Sequence, residues 1–386
     1  MSMGNKPGKV KFMARAYETM SEVIKHGGNR KIIQKIRKSD DPDVVIRAIE
    51  DVRVLTTQEK NVDPLVKEGA IEAICGAVKS GIRSEDPMLD INQKANRALA
   101  NLCTSRNIKD VHRNGGLDIA LSTVAAHTGN ATDGGTGEAF GLMARLSKDD
   151  KMAAEIMTKG GLQSIAGAMK GSIDDGTKAH RRFLELAKAV LTELGDRGAC
   201  ETSMAALASS ASAATSVASL GDIAALASAS DNVDTFFRTG AHTTLLESIS
   251  SGSASAAGEG VSGATFSALA ELAHDANRCA ALKQGGALDA ALAAVVNAQE
   301  ASEREGAVRL LGKLTDSSAS GISESGAIEA AVGMLTIGGA GEELTLEAVK
   351  GKMGAINFLK SVAGDGKCRE AMFAAGVLSF LPALME

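Results

Sequence analysis

Ala95-Asn96-Arg97-Ala98-Leu99-Ala100-Asn101-Leu102-Cys103 is the stretch on which the fold turns. Ala95, Leu99 and Leu102 fall on one face of an α-helix, because they are four and three residues apart. The alanine lets a neighbouring helix come close. The two leucines bring area whose burial stabilises by about 25 cal/mol per Å². The same small-apolar-apolar face recurs at Ala48-Val52-Leu55, Ala139-Met143-Leu146, Ala187-Leu191-Leu194, Ser219-Ile223-Leu226, Thr265-Leu269-Leu272, Ala307-Leu311-Leu314 and Ala355-Leu359-Val362. The middle residues of successive triplets are 47, 44, 48, 32, 46, 42 and 48 apart. A period in the forties, with room for three helical pieces, is the sign of stacked helical repeats in which each layer shelters the apolar side of the next.

Glycine hinges alternate with these triplets. Lys67-Glu68-Gly69-Ala70-Ile71 leads into Ile74 and Val78, and Asn114-Gly115-Gly116-Leu117 leads into Ala120 and Val124. Gly160-Gly161, Gly285-Gly286, Gly326 and Gly376 repeat the construction; Gly27-Gly28 and Gly240 are weaker copies. A sharp helix–helix corner needs a residue that tolerates positive φ. Asp41-Pro42 and Asp86-Pro87 read as helix starts, with aspartate capping free amides and proline at the first helical position.

Glycine hinge, short helix and longer helix together resemble the armadillo repeat. Residues 95–103 are similar to its third helix almost residue for residue, and Ala264 to Leu288 resembles the passage from that helix through the next hinge. The resemblance covers about residues 10–386. It implies an all-α, right-handed α-solenoid of about eight armadillo-type repeats, a single array over 1–386 ending in a partial capping unit at 365–386. In this family the third helix lines a concave groove that grips a protein partner. In its nuclear-import adaptors that helix carries Trp-x-x-x-Asn, the asparagines holding a peptide backbone and the tryptophans forming slots for lysine stems. The positions here that match the asparagine are Val54, Asn101, Arg145, Glu193, Ala225, Glu271, Lys313 and Ser361. Those that match the tryptophan are Glu50, Arg97, Gly141, Ala189, Gly221, Ser267, Arg309 and Asn357. One asparagine and no tryptophan remain, so a nuclear-import or transport adaptor is the weaker implication.

The 32-residue interval between Leu191 and Ile223 holds two helices but hardly three. The short first helix is expected to be missing near Gly195–Gly198. Residues 196–230, rich in alanine and serine, then form a degenerate repeat that buries little area per residue.

Composition narrows the function. The 386 residues are 44% hydrophobic and 23% charged, which suits a soluble globular chain. Nine phenylalanines, the single Tyr17 and no tryptophan leave little for base stacking, so nucleic acid is not the expected ligand. No run of 18 apolar residues is present, and no transmembrane segment is expected. No signal-peptide pattern opens the chain, and Cys75, Cys103, Cys200, Cys279 and Cys368 form no C-x-x-C pair, so a cytoplasmic protein with reduced thiols is expected. Up to residue 38, ten basic residues face only Glu18 and Glu22, giving +8, against −13 for the remainder. Lys9, Lys11, Arg15, Arg30, Lys31 and Lys35 are therefore the candidates to meet an anionic partner, such as acidic tubulin tails.

Nothing in the sequence points to catalysis. Gly171 to Lys178 inverts the order a P-loop needs, and Gly321 to Ser325 misses the last glycine of a nucleophile elbow. No histidine forms H-E-x-x-H or pairs with a cysteine at metal spacing, so no catalytic residue, cofactor or metal is expected. His112 and His242 are expected to satisfy backbone carbonyls at hinges, and Cys103 and Cys279 to pack as small apolar groups. The expected groove is mixed in charge: Arg97, Asn101 and Arg145 early, Glu193 and Glu271 in the middle, Arg309 and Lys313 late. These residues are the candidates for recognising one dedicated partner by charge complementarity. The expected function is a non-catalytic scaffold or adaptor, by family analogy a structural component of a cytoskeletal assembly such as the ciliary axoneme. A membrane-tethered adaptor is a further alternative, from the faint myristoylation-like start at Met3-Gly4-Asn5-Lys6.

Overall fold

A computed structural model describes residues 27–83, 90–126, 135–171, 177–315, 322–336 and 346–377. Among these residues there are twenty-three α-helices, two short 3-10 turns and no strand, an all-helical architecture compatible with an α-solenoid. Lys9, Lys11, Arg15, Asp86-Pro87 and 378–386 lie outside the described residues.

The chain divides into two compact units, Met1–Arg197 and Gly198–Glu386. Unit 1 contains α1 (Gly28–Lys38), α2 (Pro42–Leu55), α3 (Val62–Lys67), α4 (Ala70–Lys79), α5 (Ile91–Leu102), α6 (Ile108–Arg113), α7 (Gly116–Ala126), α8 (Gly135–Leu146), α9 (Asp150–Thr158), α10 (Gly161–Gly171) and α11 (Lys178–Gly195). The long helices α2, α5, α8 and α11 pack on one another in succession. A second row, α1, α4, α7 and α10, packs on the first.

Unit 2 contains α12 (Ala199–Ala208), α13 (Ala213–Ala227), α14 (Ser230–Arg238), α15 (Ala241–Ser250), α16 (Ser253–Ala256), α17 (Val261–Leu272), α18 (Ala276–Gln284), α19 (Ala287–Asn297), α20 (Ala301–Leu314), α21 (Ala327–Thr336), α22 (Leu346–Val362) and α23 (Gly366–Ala374). Its long helices α13, α17, α20 and α22 likewise pack in order. No short helix separates α11 from α12, and the unit boundary falls in that gap.

The triplets explain the rows. All eight small residues are buried, Ser219 being the most exposed at 7%, and so are the sixteen apolar residues that follow them. Had any of these faces pointed to water, stacking would have lost its driving force. The hinges take the expected conformation: Gly69, Gly115, Gly160, Gly286 and Gly326 all have φ between 74 and 92. Where a second glycine follows, the reason is close approach. A Cβ on Gly116 would sit 2.5 Å from Val111 Cγ1 and 2.9 Å from the Val111 carbonyl oxygen.

Helix starts are set by side chains. Asp41 caps α2 by accepting from the amides of Asp43 and Val44, with Pro42 at the first position. The start of α5 differs from the expectation at Asp86-Pro87: the helix begins at Ile91 and is capped by Asp90, which accepts from the Asn92 amide at 2.8 Å. Helix ends carry a device the triplets do not announce. Asn61, Asn107 and Asn232, all buried, donate from Nδ2 to the carbonyls of Leu55, Leu102 and Leu226, the last residues of three triplets. Each asparagine adds a side-chain donor to a helix-end carbonyl that also accepts from the backbone amide of Gln58, Thr104 or Ala229.

Candidate partner-binding surface

With the triplet faces buried, the opposite positions of the long helices form the candidate surface. At the tryptophan-matching and asparagine-matching positions every residue except Ala225 is at least partly exposed.

In unit 1 this surface is laced between neighbouring helices. Asn101 donates from Nδ2 to the Arg53 carbonyl at 3.2 Å. Arg145 donates from Nη1 to the Cys103 carbonyl at 3.5 Å. Each ties one long helix to the C-terminal end of the one before it. Asn101, the only survivor of the asparagine ladder, therefore has a donor committed inside the chain. Arg197 continues the pattern more strongly. Its Nε donates to the Ser147 carbonyl at 2.5 Å and Nη2 to the Lys148 carbonyl at 2.6 Å. It also pairs with Asp150 and lies 3.9 Å from Glu193 Oε2. Glu193 is thus held by an arginine of its own helix end.

Arg97 meets a residue the sequence reading passed over. Its Nε lies 3.6 Å from Glu138 Oε1, and the same oxygen lies 3.4 Å from Arg182 Nη2. Glu138 keeps only 13% of its side chain exposed, while Arg97 and Arg182 keep 41% and 55%. One carboxylate on α8 is shared by guanidinium groups from α5 and α11.

In unit 2, Glu271 on α17 and Arg309 on α20 pair with each other. Lys313 is exposed, and its carbonyl accepts a weak bond from Cys279 Sγ at 3.5 Å. Ser361 lies 2.5 Å, hydroxyl to hydroxyl, from Thr315. Several of these charges are thus paired within their own unit.

Two arginines in the described part of the basic segment are also paired. Arg30 forks onto both oxygens of Glu68 at 3.3 and 3.4 Å. Its neighbour Arg37 meets Glu72 at 2.9 Å. Lys31 and Lys35 are exposed. Burial pushes the Asp51 carboxyl above its ordinary range, and the Lys35 ammonium partly offsets this.

The histidines behave differently from the expectation. His112 Nε2 lies 2.6 Å from Glu155 Oε2, so it bonds a carboxylate on α9 and not a backbone carbonyl. His242 stacks on Phe237 with centroids 4.2 Å apart and lines a cleft of about 280 Å³ with Leu246, Glu247 and Ser250. Cys103 is buried, and burial pushes its thiol up to about 12. Cys279 is only half-buried. Among the described residues, no group of three or more His, Cys, Asp or Glu side chains is placed to hold a metal ion. No described helix is long and apolar enough to cross a membrane alone; α18 and α19 together pass that test on length and composition, with a bend of 74° between them.

No family model matches the chain, and no curated protein matches it. Two engineered proteins solved by a structural genomics consortium are similar in structure. One is 18% identical, covering 90% of this chain and 82% of its own, with a TM-score of 0.40. The other is 17% identical, covering 74% of this chain and 98% of its own, with a TM-score of 0.35.

Proposed function

We propose that the protein is a non-catalytic interaction scaffold of armadillo type: about eight repeats in a right-handed superhelix, binding a protein partner along the exposed side of its long helices. The observation that carries this reading is the contrast on every long helix except α13, whose opposite positions are Gly221 and the buried Ala225. The triplet side is wholly buried on neighbouring layers, while the opposite side keeps charged and polar groups in reach of solvent at regular intervals. Rows of this kind present a surface to an extended partner. We place the scaffold in the cytoplasm, within a cytoskeletal assembly such as a ciliary axoneme, with the basic segment meeting acidic tubulin tails.

Arg30 and Arg37 are already paired with Glu68 and Glu72, so in this reading the tubulin contact falls to Lys9, Lys11, Arg15, Lys31 and Lys35. Co-sedimentation of the full chain with microtubules tests it. Binding should weaken steeply with salt and be lost when these five are changed to glutamine, while Arg30→Gln changes it little. Pelleting that ignores both salt and the five changes would refute the tubulin contact.

A further inference from the structure

We propose that the exposed side of α5, α8 and α11 in unit 1 is a docking site for an extended acidic peptide with carboxylates at alternate positions. The proposal rests on the scaffold reading and names the site and the chemistry of its occupant.

The charge balance singles out these helices. Together they carry Lys94, Arg97, Arg145, Lys178, Arg181, Arg182 and Lys188 against Glu138, Glu185 and Glu193. Upstream, α2 has two arginines against three carboxylates, and the four long helices of unit 2 hold six cations against five. The excess is local to three consecutive helices.

The internal carboxylates do not cancel it. Glu193 already sits beside Arg197. Glu138 offers one oxygen, at 3.6 and 3.4 Å, to two arginines. A guanidinium has five N–H donors in a fork suited to a carboxylate. Arg97 and Arg182 share that single oxygen, on side chains 41% and 55% exposed. Arg145, on the same side of α8 two turns beyond Glu138, meets a carbonyl and leaves its charge unmatched by that contact.

Helix α11 adds a second conflict. Lys178, Arg181 and Arg182 occupy its first turns, where no acid is present. The amino end of a helix carries partial positive charge and disfavours cations. This arrangement costs stability in the free chain, and an anionic partner relieves it.

Geometry fixes the form of the occupant. Packed helices lie about 8–10 Å apart. An extended peptide advances about 3.3 Å per residue. Arg97 and Arg182 both approach one Glu138 oxygen, so carboxylates two residues apart on the same side of such a strand can meet the pair, and Arg145 stands two turns along α8 from Glu138. Gly137 and Gly141 bring α8 close to α11: a Cβ on the first would lie 4.0 Å from Phe183 Cα, and one on the second 4.0 Å from Leu186 Cδ2.

The test is fluorescence anisotropy of the full chain with a labelled twelve-residue peptide carrying glutamate at alternate positions. Salt-sensitive binding is expected. It should weaken at least tenfold in the Arg97→Glu/Arg182→Glu double variant, survive in Arg97→Lys/Arg182→Lys, and be untouched by Arg238→Glu on α14. Glu138→Gln should tighten it severalfold, because the internal competitor for both arginines is gone. A merely structural carboxylate would give no such gain. Absence of binding, indifference to the double variant, or equal affinity for a single-stranded oligonucleotide or a lysine-based peptide would overturn the proposal. Circular dichroism of each variant reports folding. Loss of peptide binding with microtubule pelleting intact removes this site alone; loss of both removes the scaffold reading.

Discussion

Units 1 and 2 build the same row of long helices by different means. In unit 1, long side chains reach from one helix to the end of the one before: Asn101 to the Arg53 carbonyl, Arg145 to that of Cys103, Arg197 to those of Ser147 and Lys148. In unit 2 the backbones themselves come close. A Cβ on Gly263 would lie 2.6 Å from the Ser302 carbonyl carbon and oxygen, and one on Gly306 would lie 2.5 Å from the Gly263 carbonyl oxygen. Glycine gives α17 and α20 contact without side chains between them. Polar cross-links tolerate change one at a time; close backbone packing does not, because neither helix can yield without the other.

The largest expected effect follows from that difference. Gly306→Leu should disrupt unit 2 by about 3 kcal/mol or more, since the new side chain meets a carbonyl and the Phe266 Cβ 3.0 Å away. Hydrogen exchange followed by mass spectrometry reads the two units separately. Protection should fall across α17 and α20 and stay intact across α5 and α8. Uniform loss over both units would show that they share one cooperative transition, and unchanged protection would show the close packing to be unimportant.

Arg197→Ala is the matching change in unit 1, with a smaller effect. It removes two hydrogen bonds to carbonyls at the end of α8 and the pairing with Asp150. About 2 kcal/mol of local stability is expected to go, mostly from the carbonyls left without a partner. Exchange should quicken at residues 143–150. An effect below about 0.5 kcal/mol, the usual size of surface changes, would mean that water replaces the arginine fully.

Much of this architecture is legible in the sequence. The triplets are, because burial on one helical face leaves a spacing that needs no partner to be recognised. Gly69, Gly115 and Gly286 are, because a left-handed corner leaves almost no other choice of residue. Gly198, also left-handed with φ 84, escaped notice because the missing short helix removed the context that marks the other hinges. Glu138 and Arg182 escaped for another reason. Their importance lies in meeting Arg97 across helices some forty residues apart. Aligning the triplets and tabulating charges on the opposite face was the only available signal. Arg197 left no signal at all, since capping the end of an earlier helix depends on how the chain returns. The unit boundary falls inside the short interval between Leu191 and Ile223 that the triplet spacing marks.

Acid should weaken a contact within unit 1. Glu155 on α9 is held below the ordinary glutamate range, first by its hydrogen bond with Lys159 and then by that with His112 on α6. A carboxyl whose folded pKa is depressed stabilises the fold above its unfolded value and loses that contribution as pH falls through the folded one. The contact between α6 and α9 should therefore loosen below the usual glutamate range. In Glu155→Gln the thermal midpoint should fall less steeply with acid than in the parent. An identical slope would show that Glu155 adds nothing, as its exposure to solvent allows for many surface pairs.

The smallest effect is expected at the ion pair that most resembles a recognition site. Glu271 and Arg309 join α17 to α20, with 21% and 49% of their side chains exposed. Exposed pairs contribute about 0.2–1 kcal/mol, because solvent screens the attraction and two long side chains lose freedom. The backbones beneath are already locked by Gly263 and Gly306. A double-mutant cycle with Glu271→Gln and Arg309→Gln should therefore return a coupling under about 1 kcal/mol. The two residues neutralise each other, so their joint removal should leave acidic-peptide binding at unit 1 as it was. A coupling of several kcal/mol would place unit 2 beside unit 1 as a row held by its side chains, and the contrast between the units would reduce to which residues do the holding.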